Sequence, residues 1–87
     1  MSQETLDGFT LYGQQRYAEA YDALYESAAF GRDAEAQYYL GMMYFYGDGV
    51  EKDAKRAEEW WKKAMRNGSI DAANRLSEIS TSTKHTF

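Results

Sequence analysis

Apolar residues recur at helical spacing over most of the chain. In "DAKRAEEWWKKAMRNG", Ala57, Trp60, Trp61 and Ala64 fall at i, i+3, i+4 and i+7, while Lys55, Arg56, Glu58, Glu59, Lys62 and Lys63 cover the remaining surface. Asp53 is placed to cap that helix, and Asn67-Gly68 to end it. Upstream, "DAEAQYYLGMMYFYG" starts from a second aspartate, Asp33, and its apolar face is Ala36, Leu40, Met43 and Tyr44. Gly41 on that helix has no side chain, so a neighbouring helix can approach its backbone closely. The pattern predicts five antiparallel helices, at about 3–13, 16–30, 34–46, 53–67 and 70–80, with no strand, and a frayed tail over 81–87.

Between the third and fourth helices lies Gly47-Asp48-Gly49-Val50. Two glycines supply the backbone freedom for a tight reversal, and Val50 can plug the gap between the helices. The turn requires no ligand.

The pattern also repeats. Residues 17–31 match 54–68 at an offset of 37, pairing Ala20 with Ala57, Leu24 with Trp61, Ser27 with Ala64 and Gly31 with Gly68. After Gly68 the offset is 36, pairing Ala36 with Ala72 and Leu40 with Leu76. A period near 36 means stacked helix pairs that cannot bury their apolar faces alone. The expected domain spans 1–80, with units at about 3–31 and 34–68 and a capping helix at 70–80.

Residues 34–68 resemble the Sel-one-like repeat, a relative of the tetratricopeptide repeat. The matching marks are Ala36, Leu40-Gly41, Tyr44, Gly47-x-Gly49-Val50, Asp53, Ala57, Trp60, Ala64 and Gly68. The first unit lacks the Gly-x-Gly-Val insertion and is closer to a tetratricopeptide repeat, with Gly8, Tyr12, Tyr17, Ala20, Leu24 and Ala28 in suitable places. The last unit is a first helix only. The resemblance implies an all-α, right-handed helix-pair solenoid of two to two and a half repeats, used as a protein-binding scaffold.

Composition narrows the function. Eighty-seven residues leave no room for a catalytic and a regulatory domain together. The absence of cysteine excludes disulfides and thiolate metal sites. A net charge of −4 argues against phosphate-backbone binding. That charge is uneven: residues 1–33 hold six acids (Glu4, Asp7, Glu19, Asp22, Glu26, Asp33) against two bases, and the remainder holds eight of each. The acidic third is either solubilising surface or a patch that steers a basic partner. With no signal-peptide pattern and no membrane-length apolar run, a cytoplasmic location is expected.

Catalytic and metal candidates are weak. Glu58 and Glu59 diverge by about 100° on a helix and cannot share a substrate. Asp48, Glu51 and Asp53 lack the spacing of a calcium loop. His85 has no second ligand at helical spacing, and Asn67-Gly68-Ser69 is better explained as a helix end than as a glycosylation site. The expectation is a non-enzyme without cofactor or metal.

Binding is better supported. In helix-pair solenoids the first helix of each pair lines the concave face. The third helix then turns Tyr38, Met42, Phe45 and Tyr46 toward that face, the first helix Phe9 and Tyr12, and the fifth Asn74 and Glu78. Large rings suit recognition, because they offer contact area at low ordering cost. The alternative is that these aromatics are extra core. A short chain of this kind is expected to act as an adaptor or stoichiometric inhibitor, an immunity-type protein for example. The other reading is a homodimer through the first helix, where Leu6, Phe9 and Leu11 spread around the axis.

Overall fold

The computed structural model describes residues 6–84, with side chains described through residue 79. Five helices follow one another: α1 Gly8–Gly13, α2 Tyr17–Phe30, α3 Ala34–Tyr46, α4 Ala54–Arg66 and α5 Ile70–Lys84. Each packs on the next, and α1 also reaches α3, which is the neighbour pattern of an all-α helical repeat. Among the described residues there is no strand.

Local chemistry sets the helix starts. The Asp33 carboxylate accepts from the Glu35 and Ala36 N–H groups, and that of Asp53 from Lys55 and Arg56. The Ser69 hydroxyl accepts from the Ala72 N–H, 3.0 Å away, and opens α5. Two expected boundaries move. The first helix begins at Gly8, not near residue 3, because the Asp7 carboxylate caps it through the Thr10 N–H at 2.8 Å. Residues 3–5 of that expectation lie outside the described residues. The fifth helix runs on to Lys84, four residues past the expected end, so the 81–87 tail is helical as far as it is described.

Two clusters form the core. Leu11, Ala20, Leu24, Ala28, Ala36, Leu40 and Met43 make the first, and Tyr44, Ala57, Trp61, Ala64 and Ala72 the second. All four residues assigned to the apolar face of α3 are buried. Val50 packs against both clusters, as a plug between them would. In the preceding turn Gly47 and Gly49 take φ of 75° and 77°, the left-handed region that glycine enters freely.

The pairing of Ser27 with Ala64 does not hold. Ser27 is exposed and Ala28 is buried in its place. The cause is one extra residue in α2, which has 14 residues where α4 has 13. The offset therefore drops from 37 to 36 inside the helix. The left-handed residue after α2 is accordingly Arg32, φ 54°, opposite Gly68, φ 103°.

Candidate interaction surface

The aromatic side chains singled out in the sequence fall into two groups, and a residue given no role there joins them. Tyr39 meets Phe9 edge-on at 5.0 Å between ring centres and Tyr12 at 5.3 Å. On its other side it meets Tyr38 at 5.9 Å. Tyr38 and Phe45 then lean on Trp61, at 6.5 and 5.3 Å, and Phe45 meets Tyr46 at 5.1 Å. The run thus crosses from α1 onto α3 and reaches from Tyr38 to Tyr46.

A cation from α5 closes it. The Arg75 guanidinium donates to the Tyr46 hydroxyl at 3.2 Å and lies over the Tyr46 and Trp61 rings, about 6 Å from each centre. Hydrogen bonds to the Tyr38 and Tyr46 hydroxyls raise the Arg75 pKa, against the opposing effect of partial burial. Glu78 stands 4.0 Å from Arg75. Asn74 is exposed, and no hydrogen bond or ring contact joins it to the others.

The choice between site and core has a divided answer. Tyr38, Met42 and Phe45 are half-buried and pack against the second cluster, and Phe9 and Tyr12 are half-buried against the first. Each ring is therefore core on one side and surface on the other. Tyr46 is the most open, at 49% exposure. Leu6 and Phe9 are half-buried and Leu11 is buried against the first cluster, so the first helix has less unpaired apolar surface than its spread of residues implied.

Two acids of the segment between α3 and α4 have structural work. The Tyr12 hydroxyl donates to Asp48 at 3.0 Å, and burial together with that carboxylate pushes the phenol's pKa well up. Asp53 is the α4 cap. His85 falls outside the described residues.

Sequence reasoning also missed Gln37, which is buried on the stripe that holds Leu40, Gly41 and Tyr44. Its amide donates to the Ala28 carbonyl and accepts from Asn67, both at 3.0 Å, tying the ends of α2 and α4 to α3. The signal was its position on the apolar stripe, three residues before Leu40 and seven before Tyr44.

The helix order, the Gly-x-Gly-Val turn and the small residue under Trp61 are the marks of one repeat type, and the family model for the Sel1 repeat matches residues 34–69. The chain carries a Sel1 repeat. The matched segment is α3, the glycine turn and α4, ending at the Ser69 cap of α5. No curated protein and no solved structure matches the chain. Sel1 repeats generally mediate protein–protein interaction and are typically non-catalytic. No described helix is long and apolar enough to cross a membrane.

Proposed function

We propose that the protein is a non-catalytic interaction module that binds a partner protein through the surface formed by α1, α3 and α5. The observation that carries this reading is the unbroken contact series Phe9–Tyr39–Tyr38–Trp61–Phe45–Tyr46 with Arg75 at its end. Tyrosine and arginine are enriched among the residues that dominate protein recognition energetics, and here the inner sides of Tyr38 and Phe45 are already fixed by the core, with the fully buried Trp61 beneath them. Little ordering entropy remains to be lost on binding. An adaptor or a stoichiometric inhibitor fits such a preformed surface, with Phe9, Tyr12, Tyr38, Met42, Phe45 and Tyr46 in contact and Asn74 and Glu78 at the rim.

A basic patch on the partner would find two acids that are unpaired among the described residues. Asp7 and Asp33 are spent as helix caps and Glu19 pairs with Arg16 at 2.8 Å, which leaves Asp22 and Glu26 exposed on α2. Glu4 lies outside the described residues.

The test is affinity capture with the tagged chain beside its Tyr46→Ala and Met42→Ala variants, after confirming equal melting temperatures. A partner held by the parent and lost by both variants supports the reading. Equal retention by all three, or a concentration-dependent dimer lost in the variants, sinks it; the dimer would make self-assembly the function.

A further inference from the structure

A second recognition feature lies between α2 and α4 and shares no residue with the aromatic run. The two helices touch through Tyr25 and Trp60, whose rings meet edge-on at 5.9 Å. Beside that contact opens a groove of about 380 Å³. Its floor is Ala28 and the buried Gln37, held rigid by the hydrogen bonds to the Ala28 carbonyl and to Asn67.

Three cations line the groove: Arg32 from the end of α2, and Lys63 and Arg66 from the last turn of α4. Among the described residues no acidic side chain lines it, and none of the three forms an ion pair. The Lys63 ammonium sits over the Trp60 ring, 4.7 Å from its centre. All three are exposed, in a chain whose net charge is −4.

Cations near helix C-termini complement the helix dipole, which accounts for each of these residues on its own helix. It does not account for their convergence from two helices on one groove. Nor does it explain Arg32, whose φ of 54° belongs to a region that long side chains seldom enter. Gly31, one position earlier, would take that conformation without strain, yet it stands in the right-handed region.

We infer that this groove binds an acidic segment of a partner protein. Glutamate or aspartate carboxylates bridge to Arg32, Lys63 and Arg66, while the segment's apolar atoms rest on Trp60 and Tyr25. A nucleic-acid backbone fits less well. A long polyanion would run past Asp22 and Glu26, which are exposed on the same helix as Tyr25.

The two tryptophans make the test direct. Trp60 lines the groove, whereas the Trp61 indole is buried and bonded to the Tyr38 carbonyl at 3.0 Å. Titration with a hexaglutamate peptide should move the Trp60 indole N–H resonance and leave that of Trp61 in place. Affinity should fall as salt rises. Lys63→Glu and Arg66→Glu should each weaken binding by about tenfold or more, with unchanged circular dichroism. Lys62→Glu, on the side of α4 that faces α5, should change it less than about twofold.

Four results would overturn the inference: a stationary Trp60 signal, equal weakening by Lys62→Glu, an oligothymidylate that binds as well as the peptide, or a dimer lost with Lys63→Glu. The last would place the Asp22 and Glu26 strip of a second copy in the groove. Tyr46→Ala leaves the groove untouched, so this inference and the α1–α3–α5 reading fail separately.

Discussion

The nitrogen-bearing edge of the Trp61 indole packs against Gly41 and donates its N–H to the carbonyl of Tyr38, three residues before Gly41 on the same helix. A Cβ at position 41 would fall inside the contact radius of the ring. This one crossing sets the separation of α3 and α4, the most extensively packed pair in the molecule. Gly41→Leu should therefore cost about 1–3 kcal/mol or more by overpacking. Thermal unfolding would detect it, and an unchanged melting temperature would remove Gly41 from the helix crossing.

On the same helix, Leu40 has no exposed surface, while Tyr38 and Phe45 are half-buried against Trp61. Leu40→Ala should destabilise by roughly 2–5 kcal/mol, since it opens a cavity in the first cluster. Tyr38→Ala and Phe45→Ala each lose about half a buried ring and should cost about 1 kcal/mol. Urea unfolding of the three variants should give that order. A mild Leu40→Ala beside a severe Tyr38→Ala would mean the helix is rotated about its axis.

The Sel1 unit was the legible part of the fold, because its glycines, caps and small residues each answer a local steric demand. Asp33, Asp53, Gly41 and Val50 all do what their spacing predicts. The first unit was harder to read, since a one-residue insertion is silent in composition and only packing reveals that Ala28 replaces Ser27. Tyr39 was passed over for a related reason. It lies about 100° from both Tyr38 and Leu40, so periodicity alone places it on neither face. The groove between α2 and α4 had no sequence signal at all, because Arg32 and Arg66 are 34 positions apart and meet only through the stacking of two units.

Half of the acids in the first third act as structure: Asp7 and Asp33 cap helices, and Glu19 pairs with Arg16. The clearest comparison is Asp33, which caps α3 through two N–H groups, with Glu26, which is exposed and makes no ion pair among the described residues. Asp33→Ala should cost about 0.5–2 kcal/mol, and Asp53→Ala a similar amount. Glu26→Ala should stay within about 0.5 kcal/mol. Denaturant midpoints measure all three. If Glu26→Ala matched Asp33→Ala, the cap assignment would lose its energetic meaning.

Alkaline pH tests the half-buried phenols. Burial and the hydroxyl bond to Tyr44, 2.7 Å long, push the Tyr21 pKa from 10.0 up to about 12. Burial and Asp48 raise that of Tyr12 as well. A raised folded pKa means the folded state keeps its proton while the unfolded chain gives it up. Below about pH 10 both states are protonated, so the stabilisation is present in full. As pH rises from about 10 to about 12 only the unfolded chain ionises at Tyr21, and stability falls through that window. Tyr21→Phe and Tyr12→Phe should each flatten the fall relative to the parent, and the double variant should flatten it most. Chemical denaturation at steps across this range measures the slope, with tyrosinate absorbance reporting ionisation. A parent protein whose alkaline slope equals that of the double variant would show that neither phenol is held protonated by the fold.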